Sequence, residues 1–368
     1  MFKKKNVFYI ADFSLPNKSA YSLHVLKICD AFNEINTYKI NLLIPFIKKN
    51  YSSKKIKNDF LLKKKPKIKH FNNKKKRLNF FSRIIFSFKI LLYIKKNDHR
   101  IIISRSIIPS ILLALFNVKN TLEIHSELSG FTKIFFSIIK INFISKNLKF
   151  IFINKYLRKK FNIKKEKSII LYDAVDYRDF KPSSKKTFKN CCFYSGSFAK
   201  GKALEIIMKV AKKLPHINFH LYGNPDTIYK KKINKLNNIF FKGYVNYSRL
   251  VLLINNYKVL LMPYKKNVGV LIKDLNVAKY FSPLKMYDYL ASGKIIIASD
   301  LPVYRYILKN NINAIILKED INIWSRMITK ALKTKQYNYL GIAGRKISKN
   351  YSWKNRMIKI INFQNSTM

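Results

Sequence analysis

Apolar and polar residues follow two different rhythms along this chain. Short runs of β-branched and aromatic residues, such as Val7–Ala11 and Lys39–Pro45, predict strands. Between them, Ala20–Phe32 has apolar residues every three to four positions behind Ser19, which predicts a helix capped by that serine. Strands that alternate with helices are typical of parallel sheets covered by helices.

The same alternation continues along the chain and predicts two domains. In the first half, further strands are predicted at Arg100–Arg105, Thr121–His125, Phe150–Asn154 and Ser168–Tyr172. In the second half, strands are predicted at Cys191–Ser195, Asn218–Tyr222, Ile239–Tyr244, Val259–Pro263, Lys294–Ser299 and Ala314–Leu317. We expect an α/β fold with two Rossmann-like, doubly wound domains, 1–180 and 181–350, that face a central cleft. A C-terminal helix at 351–368 is expected to pack back on the first domain.

The segment Leu78–Ile94 is apolar on nearly every side of its predicted helix. Basic residues at 83, 89 and 95 fall six positions apart, which spreads them around the helix rather than along one face. This distribution favours a helix buried in the first domain over an amphipathic helix that lies in a membrane interface. Shallow membrane contact by this helix remains the alternative.

Charge is the most unusual feature of the composition. The 368 residues include 74 Lys and Arg against 18 Asp and Glu, a formal net charge of +56, which suggests nucleic acid or an anionic membrane as a partner. The chain has no recognisable nucleic-acid motif, and 63 of its basic residues are Lys, as AT-rich coding would produce. We therefore expect no nucleic-acid partner.

Lys48 to Arg77 contains 14 basic residues and one acidic residue, without a sustained apolar period. This pattern indicates either a long solvated loop or a surface that contacts an anionic inner membrane leaflet, and both interpretations stay open.

The longest stretch without a charged residue, Ser106–Val118, has 13 residues, whereas a membrane-spanning helix needs about 20. Cys29, Cys191 and Cys192 have no metal-ligand spacing. We expect a cytoplasmic protein. A peripheral position on the cytoplasmic face of the inner membrane stays open.

Two segments carry the chemistry of an anion site. In the first, Gly196, Ser197, Gly201 and Lys202 lie between a buried strand and a helix. Glycines let the backbone approach an anion, helix-end amides point at it, and a lysine adds positive charge. Taken alone, this segment is equally typical of an ordinary strand-to-helix turn.

In the second segment, Ser282 is the expected N-cap and Pro283 the first residue of a helix that continues through Leu284 and Lys285 and stops at Gly293. The free amides at such a start can hold a phosphate. Asp288 lies about one turn further on, and a carboxylate can accept hydrogen bonds from both hydroxyls of a ribose. A helix with an exposed aspartate is the alternative.

Together, the two segments resemble the nucleotide-sugar half of family 4 glycosyltransferases, which have the GT-B fold. The resemblance is closest to bacterial enzymes that read S-P-x-K-x-x-E-Y-x-A-x-G-K, here from Ser282 to Lys294. The family's crossing between domains resembles Tyr172–Asp176 and Phe180–Pro182 of this chain. Its first helix resembles Ser19–Cys29, and its E-x-H motif matches Glu123–His125.

This resemblance implies a role for each matching residue. Lys202 would contact the donor diphosphate, Asp288 would hold the ribose, and His125 would lie near the sugar-transfer centre. Ser19, Arg105 and Glu123 would belong to the sugar or acceptor side. The implied activity is transfer of a sugar from a UDP- or GDP-sugar to a glycan or lipid-linked saccharide, with retention and without a metal or other cofactor. Its expected setting is the biosynthesis of a cell-surface polysaccharide such as lipopolysaccharide, capsule or exopolysaccharide.

The chain departs from the family pattern at three donor positions. Ser197 replaces a basic residue, Tyr280 replaces a glutamate, and Asp288 is one methylene shorter than the usual glutamate. Two other functions stay open: a non-enzymatic protein that binds nucleic acid or a membrane surface, and another enzyme of the same fold, such as a nucleotide-sugar epimerase or a phosphorylase.

Overall fold

The chain divides into two α/β units, each built on its own sheet. A computed structural model describes residues 5–71, 78–97, 101–128, 130–138, 146–181, 187–198, 204–223, 236–265, 278 and 280–366. The first unit contains Met1–Asp173 and Trp353–Met368, and the second contains Ala174–Ser352. The predicted α/β class is confirmed.

In the described residues, the sheet of the first unit has seven parallel strands, in the order β5-β3-β1-β6-β7-β8-β9. Its strands are β1 (Lys5–Ile10), β3 (Tyr38–Ile44), β5 (Ile68–His70), β6 (Ile101–Ser104), β7 (Asn120–Ile124), β8 (Leu148–Phe152) and β9 (Ser168–Ile170), and a separate two-stranded pair joins β2 (Ser14–Leu15) to β4 (Phe46–Ile47). The central strands are apolar runs because helices cover both faces of a parallel sheet. The strand order reverses between β1 and β6, where ligands of such sheets bind.

Six helices precede the crossing to the second unit in the described residues: α1 (Ala20–Glu34), α2 (Ser53–Asp59), α3 (Phe80–Lys95), α4 (Ile107–Leu115), α5 (Gly130–Ile138) and α6 (Lys155–Phe161). The described part of the basic segment, up to Phe71, therefore holds α2 and β5 rather than one continuous loop. Ile56, Phe60 and Leu62 are buried there, and their burial explains why the segment folds despite its charge.

The described part of the second unit has a sheet of six parallel strands, in the order β12-β11-β10-β13-β14-β15. Its strands are β10 (Cys191–Ser195), β11 (Asn218–Tyr222), β12 (Ile239–Gly243), β13 (Val259–Met262), β14 (Ile295–Ser299) and β15 (Ile315–Leu317). Its described helices are α7 (Leu204–Lys213), α8 (Tyr247–Ile254), α9 (Leu284–Ser292), α10 (Ile321–Lys333) and α11 (Asn338–Ser348).

The last helix, α12 (Trp353–Asn365), belongs to the first unit and packs against α1. The contact boundary follows Asp173, before the predicted domain end at 180. Phe180 is fully buried, and its carbonyl accepts a hydrogen bond from Arg345 of α11, so this residue lies in the second unit. Among the described residues, no helix combines the length and apolarity needed to cross a bilayer.

Two glycines let α11 approach the C-terminal end of α9. A methyl group at Gly341 would lie 2.1 Å from the carbonyl oxygen of Gly293, the residue that ends α9. A methyl group at Gly344 would instead meet a methyl of Leu290 at 3.0 Å. Backbone cannot move aside as a leucine side chain can, so the two positions differ in what they tolerate.

We predict that Gly341→Ala lowers the free energy of unfolding of the second unit by about 2 kcal/mol or more. Gly344→Ala is the matched control on the same helix, with a loss below about 1 kcal/mol because alanine favours helix formation. Urea unfolding followed by Trp324 fluorescence, in a Trp353→Phe background, measures both. Equal effects of the two substitutions would contradict the close approach.

Candidate functional site

A buried carboxylate organises the carboxyl edge of the first sheet. Glu123, on β7, is 2% exposed. Its Oε1 accepts a hydrogen bond from His125 Nε2 at 2.7 Å, and its Oε2 accepts one from the Tyr9 hydroxyl at 2.6 Å. Arg356, on α12, also donates to Oε1. One carboxylate therefore joins β1, β7 and the C-terminal helix.

Arg356 and a second carboxylate complete this network. The Arg356 guanidinium also donates to the carbonyl oxygens of Leu171 at 2.5 Å and Tyr172 at 2.7 Å. His24, on α1, lies with Nδ1 2.6 Å from Asp173 Oδ1 and Nε2 2.9 Å from Glu123 Oε1. Buried charges are tolerated when they are paired and hydrogen-bonded in this way.

The pairing fixes the charge state of both carboxylates. Burial alone would raise the pKa of Glu123, but the charges of His24 and Arg356 and the hydrogen bond from His125 outweigh it and hold that pKa well below its usual value. The pKa of Asp173 is also lowered, because the hydrogen bond and charge of His24 outweigh its burial. Both groups are therefore carboxylates at neutral pH.

His125 is neutral in this environment. Burial, together with the positive charge of Arg105, lowers its pKa from 6.5 to about 3. A carboxylate only accepts hydrogen bonds, so His125 Nε2 carries the proton and donates to Glu123, which leaves Nδ1 as the acceptor nitrogen. The ring can accept a hydrogen bond from a hydroxyl, but it is too weak a base to hold a proton at neutral pH.

Arg105 extends the cluster towards the end of β1. Its guanidinium carbon lies 4.3 Å from the centre of the Tyr21 ring, and the Tyr21 hydroxyl donates to Asp12 Oδ1 at 2.9 Å. Among the described residues, Arg105 Nη1 is buried without a hydrogen-bond partner. A buried donor of this kind is available to a hydrogen-bond acceptor.

Ser19 has a local structural role. Its side chain accepts from the Ser22 amide at 3.3 Å and caps α1, as predicted for the start of this helix. The serine is exposed, and its hydroxyl is used by the cap. The structure gives no contact between Ser19 and the cluster at Glu123.

His24, Glu123 and His125 also have the side-chain types of a zinc site, with ligand atoms within 4.8 Å of one another. The Arg356 guanidinium is bound to the same carboxylate oxygen, Oε1 of Glu123, as His125. That cation already supplies the positive charge that a metal would bring. We therefore interpret the cluster as an ion-pair network.

In the second unit, the turn after β10 is built on close backbone approach. Gly196 has φ +144°, and a methyl group there would lie 2.5 Å from Lys285 Nζ. Gly223, after β11, has φ +147°, and its methyl group would lie 2.1 Å from the Gly196 carbonyl oxygen. These positions require glycine because any side chain would displace the lysine or the backbone.

Lys285 lies in the first turn of α9, over two aromatic rings. Its Nζ is 3.9 Å from the centre of the Tyr194 ring and 5.3 Å from that of Tyr264. The Tyr194 hydroxyl donates to the Ser197 carbonyl at 2.9 Å and holds the turn in place. A cation, a glycine turn and a helix N-terminus therefore meet at this edge of the sheet, the arrangement expected of a phosphate site.

The start of α9 differs by one residue from the prediction. The helix begins at Leu284, with Pro283 rather than Ser282 in the N-cap position and without a side-chain cap. Among the described residues, the Ser282 hydroxyl oxygen is buried without a hydrogen-bond partner. Because proline has no amide hydrogen, it fits both the N-cap position and the first helical position. Pro283 takes the N-cap position here, so the Ser282 hydroxyl does not cap the helix.

Asp288 is not an exposed aspartate. It is 5% exposed, and its Oδ1 accepts from the Tyr247 hydroxyl of α8 at 2.8 Å. Burial and the Asp288 charge raise the pKa of Tyr247 well above its usual value, so the tyrosine stays a donor. Gly201 and Lys202, the remaining predicted donor residues, lie outside the described residues.

Sequence reasoning gave no role to several of these residues, among them His24, Asp173, Arg356 and Tyr247. His24 and Asp173 lie within motifs that carried the family resemblance, so a signal for them was present. Arg356 and Tyr247 lie in no motif, and only the fold brings them to Glu123 and Asp288.

Comparison with known proteins gives a match in the second unit. Residues 176–347 match the family model described as "Glycosyl transferases group 1", and the predicted resemblance to glycosyltransferases is confirmed over these residues. No protein of curated function matches the chain in sequence.

Solved structures match nearly the whole chain. Anabaena HepE, in complex with UDP and glucose, is 12% identical with a TM-score of 0.72 over 98% of this chain and 99% of that one. A glycosyltransferase from Rickettsia africae is 14% identical with a TM-score of 0.73 over 100% of both chains. WaaG, a glycosyltransferase involved in lipopolysaccharide biosynthesis, is 11% identical with a TM-score of 0.67 over 98% and 100%. At these identities the likeness shows the fold, and the predicted GT-B fold is confirmed.

We predict that the first unit loses stability as pH falls from 6.5 towards 3. In that window the unfolded chain protonates His125 and the folded chain does not, so falling pH favours unfolding. Glu123 and Asp173, whose pKa values are lowered, add to the loss at the acidic end. Urea unfolding at several pH values, followed by Trp353 fluorescence in a Trp324→Phe background, measures the slope.

His125→Asn should reduce this slope by about 1.4 kcal/mol per pH unit within the window. His70→Asn, at an exposed position of the same unit, is the matched control. A slope unchanged in His125→Asn would mean that this histidine is not held neutral.

Proposed function

We propose that this chain, with its group 1 glycosyltransferase domain at residues 176–347, transfers a sugar from a UDP- or GDP-sugar to a hydroxyl of a glycan or lipid-linked saccharide. The proposal includes retention at the anomeric carbon and no metal requirement. The observation that carries it is the Lys285 ammonium held against Gly196 at the start of α9, with the Asp288 carboxylate one turn further on.

In the proposed reaction, the acceptor hydroxyl oxygen bonds to the anomeric carbon as the bond between that carbon and the diphosphate oxygen breaks. Negative charge develops on the leaving diphosphate, which takes up the proton of the acceptor hydroxyl. Lys285, the amides at the start of α9 and, as the resemblance implies, Lys202 stabilise that charge. Donors already in place before the reaction stabilise the transition state without reorganisation, and each contributes about a hundredfold or more in rate. Asp288 accepts hydrogen bonds from the ribose hydroxyls.

The polar cluster of the first unit is proposed to bind the sugar side. His125 would accept from a sugar hydroxyl through Nδ1, and Arg105 would donate to a sugar or acceptor oxygen through Nη1. Glu123 keeps the histidine in the required tautomer, so we assign it a positioning role. Ser19, at the cap of α1, remains a predicted acceptor-side residue.

The donor is proposed to be UDP-linked in the first instance, because the related HepE structure holds UDP and glucose. The setting is proposed to be cell-surface polysaccharide biosynthesis, in line with the role in lipopolysaccharide biosynthesis of the similar WaaG. A lipid-linked acceptor would place the protein at the cytoplasmic face of the inner membrane, with Lys48 to Arg77 against anionic headgroups.

Lys285→Ala should remove most of the stabilisation that a nucleoside diphosphate gives the protein. A ligand at a hundred times its dissociation constant adds about 2.7 kcal/mol to the folded state. Thermal unfolding with UDP, GDP and ADP measures it, with Lys294→Ala at the other end of α9 as a control of equal charge. Equal nucleotide shifts in both variants would remove Lys285 from the donor site, and no shift with any nucleotide in the wild type would overturn the proposed function.

Tyr247→Phe should reduce the preference for ribose, because it leaves the buried Asp288 carboxylate without its tyrosine partner and reorients it. We expect the wild type to bind UDP at least tenfold more tightly than 2′-deoxy-UDP, about 1.4 kcal/mol. Asp288→Asn should abolish this preference and Tyr247→Phe should weaken it, as measured by calorimetry. A preference unchanged in Asp288→Asn would place the ribose elsewhere.

A further inference from the structure

Helix α3 has two apolar faces, and only one of them is buried. Phe86, Ile90, Leu91 and Ile94 pack into the core of the first unit. The opposite face consists of Phe81, Ile85, Phe88 and Leu92, which are 74%, 58%, 45% and 60% exposed. At about 100° per residue, these four residues fall within about 60° of one another. The predicted burial of this helix therefore holds for one face, and the all-round apolar pattern is the sum of two opposite stripes.

The exposed stripe continues onto α5. Phe131 and Ile134 are 70% and 53% exposed there. The Phe80 ring connects the helices, with its centre 5.6 Å from that of Phe131 and 5.9 Å from that of Phe81. Scattered exposed apolar residues need no explanation, but an ordered stripe of six on two neighbouring helices is typical of a contact surface.

Basic side chains border this stripe. Lys89 Nζ donates to the Phe71 carbonyl at 3.2 Å, and Lys69 Nζ lies 5.9 Å from the centre of the Tyr93 ring. On the other flank, Lys95 Nζ lies 5.2 Å from the centre of the Phe116 ring. Neither α3 nor α5 contains an acidic residue. The described part of the basic segment therefore contacts α3, by way of Lys69 on β5 and the Phe71 carbonyl.

We propose that the stripe formed by Phe81, Ile85, Phe88 and Leu92 of α3 with Phe131 and Ile134 of α5 inserts into the interface of an anionic membrane. Charge selects this occupant. A second copy of the chain would bring the same lysines and a net charge of +56 against this face, whereas anionic headgroups would neutralise them. Aromatic and aliphatic side chains bordered by lysines are the pattern of helices that lie in the interface.

The proposal goes beyond the proposed sugar transfer and does not depend on it. It also differs from adsorption by the basic segment alone, because apolar side chains enter the acyl boundary and binding survives salt that screens surface charge.

Vesicle co-sedimentation of the full-length protein tests the proposal, with phosphatidylcholine vesicles containing about a third phosphatidylglycerol, at low and high salt. The double variant Phe81→Ser, Leu92→Ser should lose at least tenfold in partition coefficient and all binding at high salt. The control double variant Leu252→Ser, Ile342→Ser changes side chains that are 60% and 71% exposed in the second unit, and it should bind as the wild type does.

Two results would overturn the proposal. One is equal vesicle binding by the wild type and the α3 variant, which would mean adsorption by charge alone. The other is a wild-type dimer in sedimentation velocity that the α3 variant abolishes while lipid binding is unchanged, which would assign the stripe to a second copy. Thermal unfolding with and without UDP shows whether the variant is folded and keeps its donor site, so loss of membrane binding is distinguishable from failure of the proposed activity.

Discussion

A carboxylate buried at the end of a parallel strand has to be neutralised, and Glu123 is neutralised by a residue 233 positions away in the sequence. An unpaired buried charge would destabilise the unit by several kcal/mol. Arg356 provides the pairing, and α12 therefore returns to the first unit and packs against α1. The same carboxylate fixes the His125 tautomer and approaches His24, so one ion-pair network both anchors the C-terminal helix and prepares the polar edge of the sheet.

The second unit depends on a different constraint, which is close approach of backbone. Gly196 leaves room after β10 that Lys285 occupies from the start of α9, and Gly223 after β11 lets the Gly196 carbonyl approach closely. Gly341 allows α11 to pack at the other end of the same helix. Glycine is scarce in this chain, with 9 residues in 368. Several of these glycines lie at the two ends of α9, the helix that carries the proposed donor site.

Much of the fold could be predicted from the sequence because its signals are local. Apolar runs identified the long strands of both sheets, and Pro283 and Gly293 marked α9 to within one residue. The short strands β2, β4 and β5 have no such signal, because β2 and β4 have two residues each and β5 has a single apolar residue, Ile68, within the basic segment. Arg356 and Tyr247 were missed for another reason: their partners, Glu123 and Asp288, are distant in sequence and meet them only through the topology. The α3 helix shows a third limit, because an all-round apolar pattern does not distinguish a fully buried helix from one with an exposed stripe.

We propose that Gly196, Lys285 and Asp288 form a donor site for a nucleotide-sugar, and a crystal structure of the protein with UDP would show the contacts of each. We expect a diphosphate oxygen within hydrogen-bond distance of Lys285 Nζ, about 3 Å, and the ribose hydroxyls on Asp288. UDP bound away from the start of α9, or with its ribose turned from Asp288, would contradict the proposal.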